Sequence, residues 1–204
     1  MNVNYEALYD RILRRVDQGA YLAWADAVDP AQKAPMAELG AYIQSPGYRP
    51  QTARQMAHEF HRSGRIDRIM YLSALHVIAM SPAVADYTEA ARLIAEKELV
   101  AIQQGGARLQ IHLASVDRHR GALAFLSKQY EVALDYFSRA FERQRSPGNL
   151  GNVLAALIRL GDVSEARDLL SRIRGGLQPE LVSALDEMIR IDPDLALLRA
   201  EIPS

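Results

Sequence analysis

The sequence predicts an all-α protein, a superhelix of stacked antiparallel helix hairpins with about ten helices. Three observations lead there. Apolar residues recur at spacings of three and four along most of the chain. Glycine, proline and Ser-Pro or Asp-Pro steps interrupt that pattern at intervals of one helix length. No segment alternates apolar and polar residues for long with β-branched enrichment, so no strand is expected.

In the first helix Tyr5, Leu8, Tyr9, Ile12, Leu13 and Val16 form one apolar stripe, with Glu6, Asp10, Arg11, Arg14 and Arg15 turned away. Gly19 ends it. A short helix over 20–28 carries the only tryptophan, Trp24, and stops at Asp29-Pro30. Another covers 35–44 and ends in SPGYRP, where two prolines and a glycine cannot continue it. Helices over 51–62 and 66–80 are parted by Ser63-Gly64. Ser81-Pro82 then opens a long helical segment, 83–104, with the expected core stripe Val84, Tyr87, Ala91, Ile94, Ala95, Leu99 and Ile102. Gly105-Gly106 closes it. Helices follow over 107–128, 130–144, 149–160, 163–173 and 179–191, with a short one from 194.

Composition bounds the function. The 204 residues are 49% hydrophobic, enough for a substantial core. Charged residues are 24% and the formal net charge is −1, which argues against a protein whose main work is gripping phosphate backbones. There is no cysteine, which removes disulfides, thiol catalysis and Cys-based zinc sites, and fits a reducing compartment. Charges punctuate the N-terminal segment, and the longest apolar runs, such as ALAFL at 122–126, are too short to span a bilayer. A cytoplasmic protein without membrane insertion is expected.

The segment KQYEVALDYFSRAFERQ, 128–144, keeps two small residues, Ala133 and Ala140, seven apart among Tyr130, Tyr136, Phe137 and Phe141. Aligned with LGDVSEARDLLSRI it gives five correspondences 33 residues apart: Tyr130 with Val163, Ala133 with Ala166, Phe137 with Leu170, Ser138 with Ser171, and Arg139 with Arg172. Prolines keep a similar rhythm at Pro46, Pro82, Pro147 and Pro179.

These residues resemble the tetratricopeptide repeat, a helix hairpin of about 34 residues. In 114–147 the match comprises Gly121 in the first helix, Tyr130, Ala133, Phe137 and Ala140 in the second, and Pro147 at the end. In 148–179 it comprises Leu150, Val153 and Leu157, then Gly161 at the turn, Ala166 and Leu170, and Pro179; Ile173 replaces the second small residue. In 47–82 it is degenerate, with Ile69 where alanine is expected. Residues 83–113 do not split into a hairpin, since their glycine pair comes last. The organisation expected is a cap or degenerate hairpin over 1–46 and an array over 47–204, ending in a cap at 180–204, all one continuous domain.

The resemblance implies that Ser115, Arg118, Ala122 and Phe125 project toward the concave side such arrays use for ligands, joined by Asn152, Ala155 and Arg159. A cation, an amide and an aromatic edge suit an extended or helical peptide. Members that grip C-terminal carboxylates use lysine, arginine and asparagine. Asn152 falls at one such place, but Ala122 occupies another, so that clamp is not expected.

Other candidates for chemistry have plainer readings. His58 and His61 are three apart, not the four of a zinc-hydrolase HExxH, and lack an evident third ligand. His112 and His119 lie two helical turns apart, about 10 Å, too far for one ion; they read as groove or surface residues. SPGNLGN and QQGGAR form no phosphate loop. No Ser, His and acid combination has a recognisable context. The expectation is therefore a non-catalytic scaffold, an adaptor, chaperone or assembly factor, with no metal or cofactor, binding a protein or peptide. Two alternatives are kept. One is a nucleic-acid-linked regulator using arginine faces (Arg11, Arg14, Arg15; Arg118, Arg120; Arg139, Arg143, Arg145). The other is self-association through the first helix or through Leu181, Leu185, Met188 and Ile189.

Overall fold

The computed structural model of the chain describes Leu8 and residues 30–106, 108–176 and 179–202. The expected first helix (Leu8 apart) and the Trp24 segment lie outside these residues. The described part is helical, with no strand. Its helices are α1 (Pro30–Ile43), α2 (Pro50–Arg62), α3 (Arg68–Met80), α4 (Tyr87–Gln104), α5 (Leu109–Leu126), α6 (Tyr130–Arg143), α7 (Pro147–Leu160), α8 (Val163–Gly175), α9 (Pro179–Ile191) and a terminal 3-10 helix (Pro193–Glu201).

Local chemistry sets these bounds. Asp67, Asp86 and Ser146 are N-caps whose side chains accept from Met70 N at 2.8 Å, Glu89 N at 2.9 Å and Asn149 N at 3.2 Å. Pro50 and Pro147 occupy first helical positions, where a missing N–H costs nothing. These prolines therefore open the next helix rather than merely close the last. Gly161 ends α7 with φ +90°, a left-handed conformation that glycine adopts without strain. The first described helix starts at Pro30, five residues earlier than the sequence suggests, and holds Pro35 inside it.

The described residues form two compact units, which divide between Leu123 and Ala124. In the first, α1 packs on α2, α2 on α3, and α3 most extensively on α4. Leu39, Ala53, Ala57, Phe60, Ile66, Ala74 and Ile78 make one core cluster; Leu72, Ala79, Ala90 and Leu93 make another. Tyr48 and Ser81 share a hydrogen bond of 2.9 Å beside the first cluster.

In the second unit α6 packs on α7, α7 on α8, and the 3-10 helix closes against α7, α8 and α9. Ala133, Phe137, Ala140 and Phe141 of α6 are all buried, as are Ala166 and Leu170 of α8. The two small residues of α6 thus stand fully enclosed between large ones, which is how a helix packs closely without voids. Phe125, near the end of α5, lies 5.3 Å from the Tyr130 ring and 6.3 Å from Phe137. Leu185 and Ile189, expected as part of a self-association face, are buried, and α9 packs on α7 and the 3-10 helix of its own unit.

Candidate functional site

Helix α4, YTEAARLIAEKELVAIQQ, carries two apolar stripes at the helical period. Ala90, Leu93, Ile94, Lys97 and Ala101 are buried. Ala91, Ala95, Leu99 and Ile102 lie on the far side of the helix and are exposed, Leu99 by 61% and Ile102 by 56%. The expected core stripe is therefore corrected. Of its members only Ile94 is fully buried and Val84 packs on the first core cluster, while Tyr87, Ala91, Ala95, Leu99 and Ile102 face outward. The buried stripe contains Ala90, which lets α3 approach closely, and includes a lysine, Lys97, whose long apolar stem fills core volume.

Lys97 is the residue that periodicity concealed. It is 1% exposed, and its Nζ donates to Ser115 Oγ on α5 at 2.7 Å. Arg118 Nη2 donates to the same hydroxyl at 3.4 Å. One turn on, His119 is buried and stacks on His76 of α3, with ring centroids 4.2 Å apart and planes 16° from parallel. His76 Nδ1 lies 3.4 Å from the Ala90 carbonyl oxygen. His119 Nδ1 is enclosed and makes no hydrogen bond. His112, half-buried, continues the same face of α5. His119 is thus a core residue and not the groove or surface residue expected, because stacking on His76 covers it.

The charges here are lopsided. Burial, then Arg118, push Lys97 well below its ordinary ammonium range, and Asp67 opposes them. Burial lowers His76 to about 4 against the pull of the Ala90 carbonyl, with Lys97 and Arg118 lowering it further. Burial likewise lowers Arg118 and His112, and pushes His119 well below its ordinary value. Asp67, the carboxylate acting on Lys97, already accepts from Gln32 Nε2 at 3.1 Å and from Met70 N. Nearby, Arg120 and Glu98 pair at 2.6 Å.

The anticipated groove residues fall into both units. In the first, Ser115 and Arg118 are brought together, and Ala122 is half-buried. Arg118 is drawn into the cation cluster instead of standing free. In the second, Arg159 lies over the Phe125 ring at 5.9 Å and pairs with Asp194. Asn152 is half-buried there and Ala155 is buried.

Among the described residues no group of three metal-ligating side chains converges. His61 stacks on Tyr71 at 4.8 Å, and its Nδ1 lies 3.2 Å from the Ile66 carbonyl oxygen. His58 sits in an open hollow along α2 with Gln51, Arg54, Gln55, Glu59 and Arg62. Several arginines are held by neighbouring carboxylates, Arg139 by Asp135 at 3.7 Å and Arg172 by Asp168 at 3.8 Å. No described helix is long and apolar enough to cross a membrane. The chain matches no protein-family model, no curated protein and no solved structure.

Proposed function

We propose that the chain is a non-catalytic protein-binding scaffold of the tetratricopeptide-like kind that the sequence suggests, and that the outer face of α4 receives an apolar segment of a protein partner. The observation that carries this reading is the exposed row Ala91, Ala95, Leu99 and Ile102. Two large aliphatic side chains one turn apart, with alanines leading up to them, leave a shallow apolar seat of the kind an amphipathic helix fills.

Covering Leu99 and Ile102 fully would contribute about 1.5–3 kcal/mol each. That alone gives only weak association, so the partner must add polar contacts around the seat. Arg92, which bridges Glu89 at 2.7 Å and Glu96 at 3.1 Å on an exposed flank of the same helix, offers them.

Site-specific photocrosslinking in the native host tests the proposal. A photoreactive residue at position 99 should give one discrete heavier adduct, absent when the residue is placed at exposed Arg167 of α8. Equal adduct patterns at the two positions would contradict it.

A further inference from the structure

The cluster around Ser115 has more hydrogen-bond donors than acceptors, and the reading above makes no use of it. Lys97 Nζ has one acceptor, the Ser115 hydroxyl, and Arg118 has the same one. Neither cation has a carboxylate within ion-pair distance among the described residues. His119 Nδ1 is enclosed without a partner. Burying two cationic groups this way is costly unless an anion joins them. His112, Ser115, Arg118 and His119 share one face of α5, and the first three are only half-buried, so Ser115 and Arg118 border solvent on that side while Lys97 is enclosed.

We infer that Lys97, Ser115 and Arg118 form a binding site for a small phosphate-type dianion. Arg118, together with Lys97 once it takes up a proton, brings two positive charges with no carboxylate beside them, which call for two negative charges that a single carboxylate does not supply. The tetrahedral oxygens match the spare donors: the remaining Lys97 N–H groups, the Arg118 fork and the Ser115 hydroxyl. Because burial discourages Lys97 from holding its proton, arrival of the dianion draws a proton onto the amine. Binding is therefore linked to proton uptake.

The test uses the full chain and inorganic phosphate as probe. Titration calorimetry near neutral pH, in two buffers of different ionisation enthalpy, should show saturable binding with net proton uptake. Thermal unfolding should shift upward with phosphate and not with sodium chloride at equal ionic strength. Lys97→Met should lose at least tenfold in phosphate affinity. Because a core substitution can disturb folding, Arg118→Gln, at a half-buried position, serves as the second variant and should weaken binding with an unchanged circular dichroism spectrum. A tighter response to O-phosphoserine than to free phosphate assigns the site to a monoester, and the reverse assigns it to the free ion. A phosphate response no greater than that of chloride, or one that survives in both variants, overturns the proposal.

Discussion

His76 and His119, forty-three residues apart in sequence, stack at 4.2 Å inside the first unit, where burial first, and Lys97 and Arg118 after it, lower the proton affinity of each ring. A neutral imidazole pair tolerates that company. A protonated ring does not.

Stability should therefore rise with pH. His76 is lowered to about 4 from an ordinary 6.5, so the folded chain binds fewer protons than the unfolded one between these values. The contribution is complete above the unfolded value and is lost as pH falls toward 4. It is on the order of 3 kcal/mol for this residue. His119 and Lys97 are shifted in the same direction, Lys97 extending the rise toward the alkaline side. Urea midpoints followed from about pH 4.5 to 9 should climb, most steeply below about 6.5, and His76→Gln should flatten that acid limb. A level profile there would contradict the neutral pair.

Replacing Lys97 by methionine should stabilise the free protein. The thioether keeps the stem's volume and removes an amine that burial disfavours, so a gain of about 1–2 kcal/mol is expected. Chemical denaturation measures it. A loss of similar size would mean that the Ser115 hydrogen bond outweighs the desolvation of the amine.

Ala133→Leu should cost about 1–3 kcal/mol, because Ala133 is fully enclosed on α6 and added methylenes have nowhere to go. An unchanged urea midpoint would count against the tight packing of α6.

Gly151 of α7 is a second close approach. A Cβ placed there would lie 2.6 Å from Met188 Sδ and 3.6 Å from Leu195 Cδ1. Gly151→Ala should be near neutral, since the flexible methionine end can move and alanine favours the helix by about 1 kcal/mol. Gly151→Leu should cost at least about 2 kcal/mol by forcing α9 and the 3-10 helix away. Thermal unfolding of the two variants separates these outcomes.

Much of the fold could be read from the sequence because its punctuation is local. Ser63-Gly64, Ser81-Pro82, Gly105-Gly106 and Ser146-Pro147 mark helix ends by backbone chemistry that needs no knowledge of neighbours. The face that each helix buries is different. On α4 both Ala90-Leu93-Ile94-Ala101 and Ala91-Ala95-Leu99-Ile102 satisfy the helical period, and the choice belongs to α3, a partner that periodicity cannot see. Lys97 was hidden for the same reason, since a lysine among glutamates in AEKEL reads as a solvated face. His119 gave one usable signal, an imidazole between Arg118 and Arg120. Its stacking partner, His76, lies on a helix whose apolar residues, Ile69, Leu72, Ala74, Ile78 and Ala79, make it look like simple core. The sequence assigns Arg118 to an open groove, whereas its hydrogen bond turns it toward Ser115 and the cluster.

The most direct measurement is thiol labelling of single cysteines on α4, which the cysteine-free chain permits without background. Leu99→Cys should react nearly as fast as a small-molecule thiol, and Leu93→Cys on the opposite face should react slower by a factor on the order of 100 or more, since it waits for local opening. Equal protection at the two positions would show that the outer face of α4 is already covered, leaving no seat for a partner.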